Sequence, residues 1–167
     1  MKRRAFLLLL APAVVTGCGF RLRRVEGIPF ARLHLSAPPG SAVGEQIRKA
    51  LVSGGYVQLV DTPAQAEAVL KLGVESNSKT ILSLSGAGRV TEYRLNYRVG
   101  YSVTAPDGRP WIEADTIELT RDFTYSDAAF LAKSSEESLL YRDMQDQVAQ
   151  QILRRLRNLK PQAVTAP

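Results

Sequence analysis

The chain holds a single histidine and a single cysteine among 167 residues, which limits the chemistry open to it. His34 is the sole imidazole available as a general base. A Ser-His-Asp triad would have to use it, and no Gly-x-Ser-x-Gly elbow supplies a nucleophile. It lies opposite Leu33 and Leu35 in an alternating stretch, where a surface or structural histidine is the simpler reading. A zinc site needs three or four nitrogen or sulfur ligands, beyond what one His and one Cys supply. Ser85-Gly86-Ala87-Gly88 has the glycines of a phosphate loop, but no Gly-Lys-Ser/Thr follows. It reads as a mobile turn with Arg89 as its cationic edge. Asp115, Glu118 and Asp122 fall along one segment and read as a solvated strand edge rather than a metal site. The expectation is a protein that is not an enzyme.

The cysteine has a more specific context. Lys2, Arg3 and Arg4 precede an apolar run from Ala5 to Val15, and Val15-Thr16-Gly17-Cys18 follows. As a helix that run would cover roughly 16 Å, about half the hydrocarbon core of a bilayer. The layout is that of a signal peptide over residues 1–17. The tetrapeptide resembles the lipobox of bacterial lipoproteins. Cleavage would then leave Cys18 carrying a diacylglyceryl thioether and an N-acyl chain, with no other cofactor. A single Cys allows no intrachain disulfide, so an exported domain must be held by core burial. The mature chain from Cys18 is long enough for one such core.

Charge needs correcting for the leader. The whole chain has 22 basic and 16 acidic residues, for +6. Three of the basic residues precede Cys18, which leaves 19 against 16, or +3. A mild positive balance suits an anionic partner such as a lipid head group. Without a dense basic stripe it does not suggest nucleic acid.

The elements that must position these residues follow from periodicity. Residues 18–29 read as a lipidated tether, 30–160 as a single domain and 161–167 as a disordered tail. Phe30 to Ser36 alternates as a strand. Ser41 is placed to cap a helix carrying Val43, Ile47 and Leu51, which Gly54-Gly55 ends. Tyr56 to Val60 is a short extended piece. Ala68 to Glu75 alternates; Ser76 to Thr91 reads as irregular. Tyr93, Leu95, Tyr97, Val99, Tyr101 and Val103 form one face of the clearest strand. Arg94, Asn96, Arg98, Gly100, Ser102 and Thr104 form the other. Pro106-Asp107-Gly108 predicts a hairpin turn. In the returning strand the apolar phase shifts, which predicts a bulge near Asp115. Phe123 to Ala132 reads as a loop. Ser134-Ser135-Glu136-Glu137 fits a capping box, followed by a helix with Leu140, Met144, Val148, Ile152 and Leu156 on one stripe. This order predicts an α+β two-layer sandwich, a mixed sheet of about four strands with two helices packed on one face.

Two surfaces stand out. One is the polar strand face with Arg94 and Arg98, either solvated or in contact with a protein or an anionic ligand. The other is a pair of loops carrying Arg89 and Lys133, whose cations and apolar neighbours could meet phosphates and acyl chains.

Several segments together resemble one family. Cys18-Gly19-Phe20-Arg21-Leu22-Arg23, Thr91-Glu92-Tyr93, Arg121-Asp122-Phe123, Leu131-Ala132-Lys133, Tyr141-Arg142-Asp143-Met144 and Gln150 to Leu156 are similar, in order and spacing, to the lipopolysaccharide-assembly lipoprotein family LptE, also called RlpB. Arg21 departs from the His or Gln more usual there. The resemblance implies a non-enzymatic plug and assembly factor inside the lumen of the outer-membrane β-barrel LptD. Such a protein helps deliver lipopolysaccharide (LPS) to the outer leaflet and is lipid-anchored in the inner leaflet on the periplasmic side. It implies LPS contact through basic loops, with Lys133 matching one position and Arg89 lying in the corresponding earlier loop. Arg94, Asn96, Arg98 and Ser102 would suit a polar lumen. Gly19, rather than Asp, is similar to lipoproteins sorted to the outer membrane. A lipoprotein activator of another envelope machine, such as a cell-wall synthase, is the alternative with the same anchor. A periplasmic hydrolase would have to rely on His34.

Overall fold

The alternating run at Tyr93 becomes the middle of a sheet whose strands differ greatly in length. The computed structural model describes residues 27–55 and 57–159. The elements are β1 (Arg32–Ser36), α1 (Ala42–Gly54), β2 (Gln58–Leu59), β3 (Ala68–Leu84), β4 (Val90–Thr104), β5 (Pro110–Thr124) and α2 (Phe130–Arg157). The signal segment, Cys18, Gly19, Arg21 and the tail from Lys160 lie outside the described residues.

The sheet order is β2-β1-β3-β4-β5. β1 pairs parallel with β2 and β3, and the rest is antiparallel. Five strands replace the expected four or so. The extra one is a two-residue edge piece, too short to show a period. α1 is the crossover between parallel strands. Its N-cap is Ser41, whose hydroxyl accepts the Gly44 N–H at 2.8 Å, and Gly55 closes it in the left-handed region at φ 62°.

Two segments expected to be irregular are ordered. β3 continues through Ser76 to Leu84, paired with β4 and shifting register twice beyond Ile81. Here neither face packs against a full core, so the side chains carry no apolar alternation, and pairing through the backbone extends the strand. β5 likewise runs to Thr124, and α2 begins at Phe130 after one 3-10 turn, Asp127–Ala129. The apparent capping box is therefore interior to α2. The Ser135 hydroxyl bonds backwards instead, to the Leu131 carbonyl at 3.1 Å, and so does that of Ser138, just past the box, to the Ser134 carbonyl at 3.0 Å.

Both helices cover one sheet face. Leu33, Leu70, Leu95 and Val99 from the strands meet Ile47, Leu51, Met144, Val148 and Ile152 from the helices in one cluster. Leu33, Ile47, Leu70, Leu95, Met144 and Ile152 have no exposed surface, and burying each stabilises the fold by about 2 kcal/mol. The packed body takes in Ile28 as well as Phe30, two residues ahead of the expected boundary.

Bulges re-aim key side chains. Leu72 pairs with Tyr101 but Glu75 with Val99, so β3 gains a residue at Gly73–Val74 and Glu75 turns to the helix side. In β5, Ile112 pairs with Val103 and Asp115 with Tyr101, the bulge that the phase shift predicts. The two hairpin turns are built alike. Ser85 N–H donates to the Arg89 carbonyl, and Ala105 N–H to that of Arg109. Gly88 (φ 74°) and Gly108 (φ 88°) take the left-handed position of a three-residue turn.

The molecule thus has two distinct ends. Gly27, the start of β3, the Pro106–Gly108 turn and the close of α2 share one. The Ser85–Arg89 turn, the end of β5 and the start of α2 share the other. Along β3 they are separated by about 55 Å at 3.3 Å per residue.

Candidate functional site

The end far from Gly27 gathers cations and exposed apolar side chains. Arg89 is exposed on the β3–β4 turn, and its guanidinium makes no hydrogen bond or ion pair among the described residues. Lys133 is in the first turn of α2 rather than on a loop, which corrects the expectation. Its ammonium donates to Glu136 at 2.8 Å and to the Thr124 hydroxyl at 3.1 Å, and its side chain is 20% exposed. That helical setting follows from the earlier start of α2. Around the two cations stand Ile81, Leu84, Phe130 and Leu131, all exposed. Beneath them Tyr93 stacks on Phe123 at 5.9 Å and meets Tyr125 edge-on at 5.1 Å. Lys79 lies 4.9 Å over the Tyr93 ring and bonds Glu137 at 2.7 Å, and that bond holds its ammonium pKa above the usual lysine range. An anion with acyl chains finds here a free guanidinium, a second ammonium already shared, and apolar surface beside both.

The outer sheet face is polar, as the alternation requires, but its arginines are not free. Arg94 grips Asp122 with two bonds of 2.7 Å, and this pairing holds the Asp122 carboxyl below its usual pKa. Arg98 bonds Glu118 at 2.8 Å, and Asn96 reaches the Ser78 hydroxyl at 3.4 Å. Ser102 extends the same face opposite Lys71. A shallow depression of about 310 Å³ lies among Ser76, Ser78, Asn96, Arg98 and Glu118. The face is therefore a charge-balanced ladder with hydroxyls between the pairs. Asp122 and Glu118, first read as a bare acidic edge, neutralise the arginines across the strand. Such a surface suits water and neutral hydrogen-bonding groups better than an anion.

Two further clusters are structural. Glu75 accepts from the Ser41 hydroxyl, the Tyr97 hydroxyl and the Val43 N–H, the last at 3.1 Å. It ties β3, β4 and the N-terminus of α1 together, where a carboxylate is also favoured by the helix dipole. Burial, reinforced by this carboxylate, pushes the Tyr97 hydroxyl well above the usual tyrosine range. Near the other end, Arg155 of α2 bonds Tyr101 and Asp115, and its bond holds the Asp115 carboxyl below the usual range. His34 bonds the Val60 carbonyl through Nδ1 at 3.0 Å, a tie across the short edge strand. Among the described residues, no group of three His, Cys, Asp or Glu converges as metal ligands. No helix among them is long and apolar enough to cross a membrane.

Comparison with known proteins agrees with the fold and the motifs. The family model described as "LptE: Lipopolysaccharide-assembly" matches residues 30–156. The chain is 30% identical over 161 residues to the LPS-assembly lipoprotein LptE of Photorhabdus laumondii, covering 93% of this chain and 87% of that protein. Among solved structures, lipoprotein B from Nitrosomonas europaea is 35% identical with a TM-score of 0.70, covering 78% of this chain and 84% of that one. The rare lipoprotein B from Shewanella oneidensis is 32% identical with a TM-score of 0.67, covering 75% and 92%. The fold, the motifs and these matches agree: the chain belongs to the LptE lipopolysaccharide-assembly family, a family of assembly lipoproteins rather than enzymes.

Proposed function

We propose that the protein is an outer-membrane lipoprotein that plugs and assembles the LptD β-barrel, and that its tip, with Arg89 and Lys133, takes LPS on its way to the outer leaflet. The observation that carries this reading is the length and polarity of the body. β3 spans about 55 Å, against roughly 40–45 Å for a bilayer with its head groups. In a rod of that length Cys18 precedes Gly27 by nine residues, so the lipid belongs to the Gly27 end of the chain and the tip is the end away from it. The rod's outer face is a balanced ladder of ion pairs and hydroxyls, which could cross that distance only inside a water-filled lumen. At the tip, Arg89 and Lys133 match the phosphates of lipid A, and Ile81, Leu84, Phe130 and Leu131 match its acyl chains. A single charge-assisted bond contributes about 1.5–3 kcal/mol before screening, so the barrel supplies most of the grip. Arg94, Asn96, Arg98 and Ser102 face the lumen wall in this arrangement.

The test is to purify the full-length, lipidated protein from the membrane and to deplete it in cells. The expected result is copurification of a barrel of much larger mass and loss of newly made LPS from the cell surface. Normal surface LPS after depletion, or capture of a cell-wall synthase in place of a barrel, contradicts the reading.

A further inference from the structure

The two edges of the long blade are treated differently. β5 is an outer edge along its whole length. It opens on Pro110, carries Glu113, Asp115, Glu118, Arg121 and Asp122, and is broken by two register shifts. Prolines, charges and bulges are the devices that keep a sheet edge from pairing with another chain. The far edge of β3 has no such guard. β1 covers only Ala68 to Lys71, so Leu72 to Leu84 has no strand on that side. Within this stretch the only charges are Glu75 and Lys79, and both are drawn to the helix layer, onto the start of α1 and onto Glu137. What remains is Ser76, Asn77, Ser78 and Thr80, followed by exposed Ile81, Leu82 and Leu84. The Tyr141 hydroxyl donates to the Ser78 carbonyl at 3.1 Å, which sets α2 over this stretch of β3. Tyr125 N–H donates to the Thr91 carbonyl, so the odd residues of β4 bond β5 and the even ones bond β3. Ser76, Ser78 and Thr80 therefore bond Arg98, Asn96 and Arg94, and Glu75, Asn77 and Lys79 turn their N–H and C=O groups to the open side.

We propose that this edge, centred on Ser76 to Leu82, takes an extended segment of the barrel partner as an added β-strand. The proposal rests on the plug function above and names the surface through which it is exercised. Length and charge point to the occupant. Thirteen residues of free edge measure about 43 Å, close to the height of a barrel in a bilayer, so the segment runs along the pore axis. A neutral edge is complementary to a segment without charges in its middle. The segment's polar side continues the hydroxyl-rich outer face. Its apolar side lies beside Ile81 and under the α2 stripe of Phe130, Glu137 and Tyr141, which follow one another at helical spacing. Main-chain bonds give such an added strand its affinity, and alternate side chains give it specificity.

The test uses the lipidated full chain in living cells, with a photo-crosslinking residue at Ser76, Ser78 or Thr80 of β3, or at Thr116 or Thr120 of β5. The β3 positions should capture one uncharged extended segment of the barrel, whereas the β5 positions, which share the lumen-facing side with Asn96 and Arg98, should capture other parts of its wall. In parallel, Ser78→Lys with Thr80→Lys places charges on the edge without touching the core. This variant should keep its urea midpoint and copurify at least tenfold less barrel. A wild-type protein that captures the barrel, together with a lysine variant that captures it equally well, overturns the edge and leaves the plug function standing. Crosslinks to a second copy of this chain overturn the occupant. A wild-type protein that captures no barrel overturns the proposal and the function it rests on together.

Discussion

Replacing Glu136 by Gln separates a tip that binds LPS from one that is merely charged. Lys133 is held by Glu136 at 2.8 Å in an i,i+3 pair that is partly open to solvent. An incoming phosphate must compete with that carboxylate. Pairs of this kind contribute about 0.3–0.5 kcal/mol, so Glu136→Gln should tighten LPS binding about twofold by releasing the ammonium. Lys133→Met removes the charge-assisted bond itself. Such a bond is worth about 1.5–3 kcal/mol unscreened; at a partly exposed tip about 1–1.4 kcal/mol remains, a five- to tenfold rise in Kd. Arg89→Met should act in the same direction and by a similar factor. The assay is titration of purified LPS into the detergent-solubilised lipoprotein at two salt concentrations. The effect of both cation variants should shrink at the higher salt. Opposite signs for Glu136→Gln and Lys133→Met are the signature of a competing anion. A Kd within twofold of wild type for Lys133→Met, or weaker binding by Glu136→Gln, would refute the reasoning.

The remaining predictions concern the frame that carries the tip. Glu75→Ala leaves the Ser41 hydroxyl, the Val43 N–H and the hydroxyl of buried Tyr97 without their acceptor; it should cost about 3 kcal/mol and lower the urea midpoint by roughly 1.5 M. Met144→Ala empties a side chain with no exposed surface and should cost about 2–5 kcal/mol in the same denaturation assay. Because the folded Tyr97 pKa is raised, its contribution is complete below the unfolded value near pH 10 and is lost as pH rises above it; Tyr97→Phe should flatten that alkaline fall in stability. Asp122 and Asp115 are depressed by Arg94 and Arg155, so their contribution is present above the unfolded carboxyl value near pH 3.9 and disappears as pH falls through the folded values; Asp122→Asn should reduce the steepness of acid unfolding below about pH 4.

Much of the frame could be read from the chain because it rests on local rules. The buried face of β4 shows as strict alternation. The Ser41 cap, the Gly55 stop and the Pro106–Gly108 turn each have their own chemistry, and the Met144–Leu156 stripe follows helical spacing. What escaped was set by distant partners. The outer half of β3 has solvent on most sides and hence no period to read. The bulge at Gly73–Val74, which turns Glu75 inward, is visible only in register with β4. Ser134 to Glu137 has the letters of a helix start, but α2 begins a turn earlier, at an Ala129 with no side-chain cap. That shift took Lys133 from a loop to a helix. The pairing of Arg94 with Asp122, 28 residues on, and of Arg155 with Asp115, 40 residues back, follows from strand register and helix placement. Neither is encoded in local spacing, so the arginine face looked more cationic than it is. The charge-balanced ladder, and the contrast between a guarded β5 edge and an open β3 edge, emerge only once the strands are laid side by side.

The most direct test of the plug and LPS-handling function is photo-crosslinking from the two ends of the molecule in living cells with the lipidated protein in place. Positions 89 and 133 probe the tip, and Asp107, on the Pro106–Gly108 turn, probes the anchored end. The predicted result is LPS captured from both tip positions while transport is running, its loss when LPS supply is blocked, and none from position 107. A barrel that copurifies normally while the tip captures no LPS, or equal capture from both ends, would contradict it.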